Sequence, residues 1–95
     1  MGLRFEWDRR KAVGNLSKHG VSFDEASTVF HDPLACIFDD EVHSEEELRE
    51  IIIGHSLTGR LLLASFVERT ENAIRIISAR VTTARERDNY EKQRH

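Results

Sequence analysis

The sequence predicts an α+β domain in which a short N-terminal strand and two helices pack on an antiparallel sheet of about four strands, with a polar C-terminal helix. Three observations predict it. Residues 1–33 carry two helix-capping signals, residues 34–81 carry apolar, β-branched runs in close succession, and residues 82–90 turn polar and helix-permissive. Ninety-five residues make one domain, spanning residues 1–95, with room for a single modest core.

Taken in order, Phe5, Glu6 and Trp7 read as a short strand, and Asp8 is a good N-cap for a helix from Arg9 to about His19, ended by Gly20. Ala12, Val13 and Leu16 form its thin apolar stripe, with Arg9, Arg10, Lys11 and Lys18 on the other sides. Ser22 and Glu25 form an S-x-x-E capping box that opens a second helix, buried through Phe23, Ala26, Val29 and Phe30 and stopped by Asp32-Pro33. LACIFDD is the next strand, followed by a long acidic connection and then REIIIGHS, RLLLASFVER and AIRIISAR. Tight turns at Thr58-Gly59 and at residues 70–72 make the last three an antiparallel meander. Thr83 and Glu86 form a second capping box, T-x-x-E, for a terminal helix with only Ala84 and Tyr90 available for packing. Such a helix rests at the sheet's edge, moves, or waits for a partner.

The net charge of −3 hides an uneven distribution. Residues 32–50 hold eight acids against one base, Arg49, leaving nine acids and thirteen bases elsewhere, so the remainder can present a cationic face to RNA. No apolar run is long enough to span a membrane and there is no secretory segment, which points to a cytoplasmic protein. The lone cysteine, Cys36, reads as a buried thiol, excluding an internal disulfide. No closely spaced His/Cys set exists, and Glu45-Glu46-Glu47 reads as a loop tip, so neither a metal nor another cofactor is expected.

The chain resembles the BrnT family of bacterial toxins. In the N-terminal half the resemblance rests on Trp7-Asp8, Lys11, Asn15, Lys18-His19-Gly20, Phe23, Glu25-Ala26, Phe30 and Asp32-Pro33. Further along it rests on Glu47, Arg49, Ile53-Gly54, Gly59-Arg60, Arg69, the run from Arg75 to Arg80, Glu86-Arg87 and Tyr90. It covers essentially the whole chain. The resemblance implies a toxin of a type II toxin–antitoxin pair with a RelE-like fold and ribonuclease activity, neutralised by a BrnA-like antitoxin. The assembly it leaves open is a homodimer or a toxin–antitoxin heterotetramer.

Metal-free RNA cleavage needs a base for the 2′-hydroxyl proton, cations for the phosphate, and an acid for the leaving oxygen. Arg49, Arg69 and Arg80 are the candidates for the charge-stabilising role, since a guanidinium reaches two phosphate oxygens and stays charged. Arg80 leads, because it leaves an apolar strand just before a helix N-terminus, where a phosphate is favoured. Strict strand alternation puts Arg75 and Arg80 on opposite faces, with Arg80 sharing the face of Ile74, Ile76 and Ser78. Its structural alternative is a rim salt bridge to Glu86.

His19 is the acid/base candidate by intrinsic pKa, against a simple helix-end cap. Glu86 is a base, an arginine partner or only a cap; Tyr90 contacts a base or anchors its helix. His55 reads as a half-buried structural histidine, and Lys11 and Lys18, seven apart on one helix face, as holding RNA backbone or merely solvated. Two functions follow, an endoribonuclease or a non-catalytic RelE-like module that binds nucleic acid or a partner. Cleavage of RNA in EDTA separates them.

Overall fold

Asp8 turns the chain from the opening strand β1 (Arg4–Glu6) into helix α1 (Arg9–His19), its carboxylate accepting the Lys11 amide at 3.0 Å. Gly20 ends α1 at φ 69°, a left-handed conformation that glycine adopts without strain, and donates its N–H to the Leu16 carbonyl. Ser22 then caps α2 (Phe23–Thr28) through the Glu25 amide at 3.0 Å, and a 3-10 turn at Val29–His31 leads to Asp32-Pro33. Strands β2 (Cys36–Asp39), β3 (Glu50–His55), β4 (Leu61–Thr70) and β5 (Ala73–Val81) precede the terminal helix α3 (Ala84–Lys92). This computed structural model describes residues 2–43 and 47–93, so Glu45 and Glu46 of the expected loop tip lie outside the described residues.

The sheet order is β1-β5-β4-β3-β2. Strands β2 to β5 are antiparallel, as the short turns between β3, β4 and β5 require of those three, with Gly59 at φ 88° in the β3–β4 turn. The sheet is nevertheless mixed and five-stranded, because β1 joins it parallel to β5, Arg4 opposite Ala73 and Glu6 opposite Arg75. A three-residue strand has little pattern, and its pairing is made about seventy residues away in sequence. Aromatic contacts hold it there: Phe5 lies 5.2 Å from Phe30, and Phe30 meets Phe66 edge-on at 5.0 Å.

Helices cover both faces. Val21, Phe23, Ala26 and Val29 bury against Ile52, Leu62, Ala64, Phe66, Ile74, Ile76 and Ala79 on one face. On the other, Tyr90 of α3 is 2% exposed and packs with Ile53 and Leu61, beside Leu63, Ile51 and Cys36. Cys36 is therefore half-buried on a short edge strand rather than fully buried as expected. No helix among the described residues is long and apolar enough to cross a membrane.

The expected stripe of α1 is corrected. Val13 is 66% and Leu16 52% exposed, and the buried residue is Asn15. Its amide nitrogen donates to the carbonyls of Val21 (2.9 Å) and Ala79 (2.8 Å), and its oxygen accepts the Ala79 N–H at 3.1 Å. Strand β1 pairs with β5 only at Ala73, Ile74 and Arg75, so Asn15 bonds the uncovered edge as a neighbouring strand would.

Gly54 marks the tightest approach of sheet to connection. A Cβ there would lie 2.9 Å from Ala35 Cβ, 3.0 Å from Asp32 Oδ2 and 3.0 Å from Val29 Cγ1. Gly54→Ala is expected to cost about 1–3 kcal/mol, read as a lower urea midpoint with an unchanged slope.

Candidate active site

The site is shaped by a bulge in β5. Ser65 faces Ser78, yet the next residue of β4, Phe66, faces Ile76, so Ile77 is extra. Residues opposite one another share a face, and Arg75 opposes Val67 while Arg80 opposes Leu63. Both arginines thus lie on the α3 face, whereas Ile74 and Ile76 point toward α1 and α2. Strict alternation had separated the arginines; the inserted residue shifts the period and reunites them.

Arg80 is gripped by Glu86. Its Nη1 and Nη2 donate to Oε1 and Oε2 at 2.8 Å each, and Nη1 also reaches the Val81 carbonyl at 3.3 Å. Glu86 Oε1 accepts the Thr83 amide at 2.9 Å as well, completing the capping box with Thr83 Oγ1 and the Glu86 amide. The Arg80 hydrogen bonds, against the opposing effect of burial, hold the Glu86 carboxyl at about 2. Pairing with Glu86 raises Arg80 further. A fixed, permanently charged fork therefore sits half-exposed at the start of α3.

The other cations divide. Lys11, Lys18 and His19 stand four before, three after and four after Asn15, so they are its neighbours on α1. Asn15 is bonded to Ala79, the residue before Arg80, so α1 is fastened to β5 next to Arg80 in sequence, although the Arg80 side chain itself lies on the opposite, α3, face of the sheet. No hydrogen bond among the described residues joins them to Arg80. Arg69 pairs with Glu47 at 2.6 Å and Arg75 with Glu6 at 3.1 Å, both at exposed positions. Arg49 is half-buried just before β3, its carbonyl accepting the Asp40 amide at 2.8 Å.

Two networks were not legible as such in the sequence. Tyr90 donates its hydroxyl to Asp32 Oδ2 at 3.1 Å, with His55 Nδ1 3.4 Å from the Tyr90 hydroxyl oxygen and 3.6 Å from Asp32 Oδ2. Asp32 also accepts the amides of His55 (2.7 Å) and Leu34 (2.9 Å); burial tends to raise its carboxyl, but these hydrogen bonds and the nearby imidazole hold it lower. The Tyr90 ring is covered, so in this arrangement it fastens α3. Asp32 looked like no more than a helix stop.

Glu25, expected to close a capping box, instead turns to Arg60, Ser56 (2.8 Å) and Thr58 (2.6 Å), while Arg60 Nη2 also donates to the Gly20 carbonyl at 3.0 Å. The Arg60 hydrogen bonds lead, and Glu25 is held at about 2 against an ordinary value of 4.5. A carboxyl lowered in the folded state stabilises fully above its unfolded pKa and stops doing so as pH falls through the folded one. Stability should fall from about pH 4.5 toward pH 2, with up to about 3 kcal/mol from Glu25. In Glu25→Gln, urea unfolding should show a weaker dependence over that window.

With this geometry in view, residues 7–86 match the family model described as "Ribonuclease toxin, BrnT, of type II toxin-antitoxin system". The chain belongs to the BrnT family. The family match embraces Arg80, Glu86 and the Asn15 face of α1, and leaves out Tyr90. The crystal structure of the Brucella abortus ribonuclease toxin BrnT superposes with a TM-score of 0.65 over 85% of this chain and 97% of that one, at 22% identity. That likeness establishes a shared BrnT fold. No curated relative matches by sequence.

Proposed function

We propose that this BrnT-family chain is an endoribonuclease that cleaves RNA without a metal ion at the edge of β5, and that a BrnA-like antitoxin neutralises it. Membership of a ribonuclease toxin family supports a ribonuclease, and one observation supports the location: Arg80, held on Glu86 at the start of α3, follows Ala79, the residue to which Asn15 bonds the helix that bears Lys11, Lys18 and His19. Arg80 holds the scissile phosphate and stabilises its developing charge. His19 moves protons between the 2′-hydroxyl and the leaving oxygen, and Lys11 and Lys18 hold the flanking backbone. Arg49 and Arg69, the latter paired with Glu47 at 2.6 Å, are the remaining candidates for contact with the RNA phosphates.

Glu86 is assigned a positioning role rather than that of the base. Both oxygens are occupied and the carboxyl sits at about 2, too acidic to take a proton efficiently near neutral pH. The non-catalytic reading draws on the same pair, since a bidentate carboxylate neutralises the arginine. Purified protein incubated with RNA in EDTA decides: cleavage lost on His19→Ala, in a protein that still folds, supports the enzyme, and inert wild type on free RNA and on translating ribosomes refutes it.

A further inference from the structure

Between α3 and the β2–β3 end of the sheet lies a groove of about 350 Å³, near the low end of the range, about 300–1,000 Å³, that holds small ligands. Its floor is apolar: Cys36, Phe38 and Ile53, which the strand pairing places on the α3 face. Phe38 is 41% exposed, a large ring without a full cover. Its wall carries two carboxamides, Asn89 on α3 and Gln93 at its C-terminal cap, four apart and so stacked on one side. No hydrogen bond among the described residues engages either side chain. Glu86 lines the same groove, so it opens directly onto the Arg80 pair, and Lys92, 3.1 Å from Asp88, lines it as well.

We propose that this groove receives an unstacked RNA base adjoining the phosphate held at Arg80, with adenine the preferred occupant. The inference rests on the ribonuclease reading and adds what that reading lacks, a means of choosing where to cut. Single-stranded RNA is read by stacking bases on aromatic side chains and hydrogen-bonding their edges, and Phe38 and the carboxamides offer both. A carboxamide presents a donor beside an acceptor, which matches the N6 amine and N7 of adenine. Lys92 and Arg80 supply cations for the phosphates on either side of such a base.

The test uses the full chain and non-cleavable 2′-O-methyl tetranucleotides of A, C, G or U, with affinity read by fluorescence anisotropy. Wild type should bind the adenine tetramer about tenfold tighter than the uracil tetramer. Asn89→Ala on α3 and Gln93→Ala at its end, both exposed changes, should flatten that preference, while Phe38→Ala should weaken all four. Equal affinities in wild type, or a preference unchanged in the carboxamide variants, overturns the proposal. If wild type cleaves RNA and the variants cut at the same bases as wild type, only the groove assignment fails. If wild type neither binds nor cleaves RNA, the ribonuclease reading fails with it. Loss of neutralisation by the antitoxin in these variants, with base preference intact, would give the groove to the protein partner and overturn the proposal as well.

Discussion

Asn15→Leu is expected to lower the free energy of unfolding by about 3 kcal/mol, and the melting temperature by roughly 15 °C. The size follows from what the side chain leaves behind. Removing the carboxamide strands the N–H and C=O of Ala79 and the C=O of Val21 at a position only 8% exposed, where water cannot replace it. Each orphaned buried group costs about 1–3 kcal/mol, and the larger apolar surface of leucine offsets part of the loss. Val13→Ser, two residues earlier but 66% exposed, should stay within about 0.5 kcal/mol. Thermal and urea melts of the two variants check the contrast. Equal effects would mean that α1 is held by its apolar stripe after all. Asn15→Leu should also weaken RNA cleavage under the proposed reading, since the same contact fastens the helix of Lys11, Lys18 and His19 to the residue before Arg80.

Arg80→Ala should reduce kcat/KM for RNA cleavage by about 10²–10³-fold, the usual consequence of removing one preorganised charge-stabilising donor. Arg80→Lys keeps the charge but loses the two-pronged geometry that Glu86 holds, and should recover only part of the loss. Glu86→Gln distinguishes the two roles assigned to that residue. As a positioning residue it lowers the rate about tenfold and leaves the shape of the pH profile unchanged; as a base it would remove the acidic limb. Circular dichroism should show all three folded, because Glu86 and Arg80 are both partly solvated.

What could be read from the sequence was what is decided locally. The caps Asp8, Ser22 and Thr83, the glycine stop at Gly20 and the turn at Gly59 each depend on a few adjacent residues, and each is present. The features that shape the site depend on distant partners. Asn15 in mid-helix was a clue, being a poor helix former in a position meant for packing, but its partner Ala79 is 64 residues away. The bulge at Ile77 has no signature in a run of β-branched residues, and one inserted residue was enough to reverse the expected face of Arg80 relative to Ile76. Glu25 carried a true capping signal that was only half used, because Arg60, brought in by the β3–β4 turn, offers its carboxylate a stronger partner than a backbone amide.

The central claim is that the RNA's own 2′-hydroxyl is the nucleophile and that no metal takes part. Mass spectrometry of the product ends, after digestion of RNA in EDTA, tests this most directly. Attack by the 2′-hydroxyl breaks the bond to the 5′-oxygen and leaves a 2′,3′-cyclic phosphate on one fragment and a 5′-hydroxyl on the other. Those ends, formed in EDTA, are the expected result. Fragments bearing 5′-phosphate, or RNA left intact until a divalent metal is added, would contradict it.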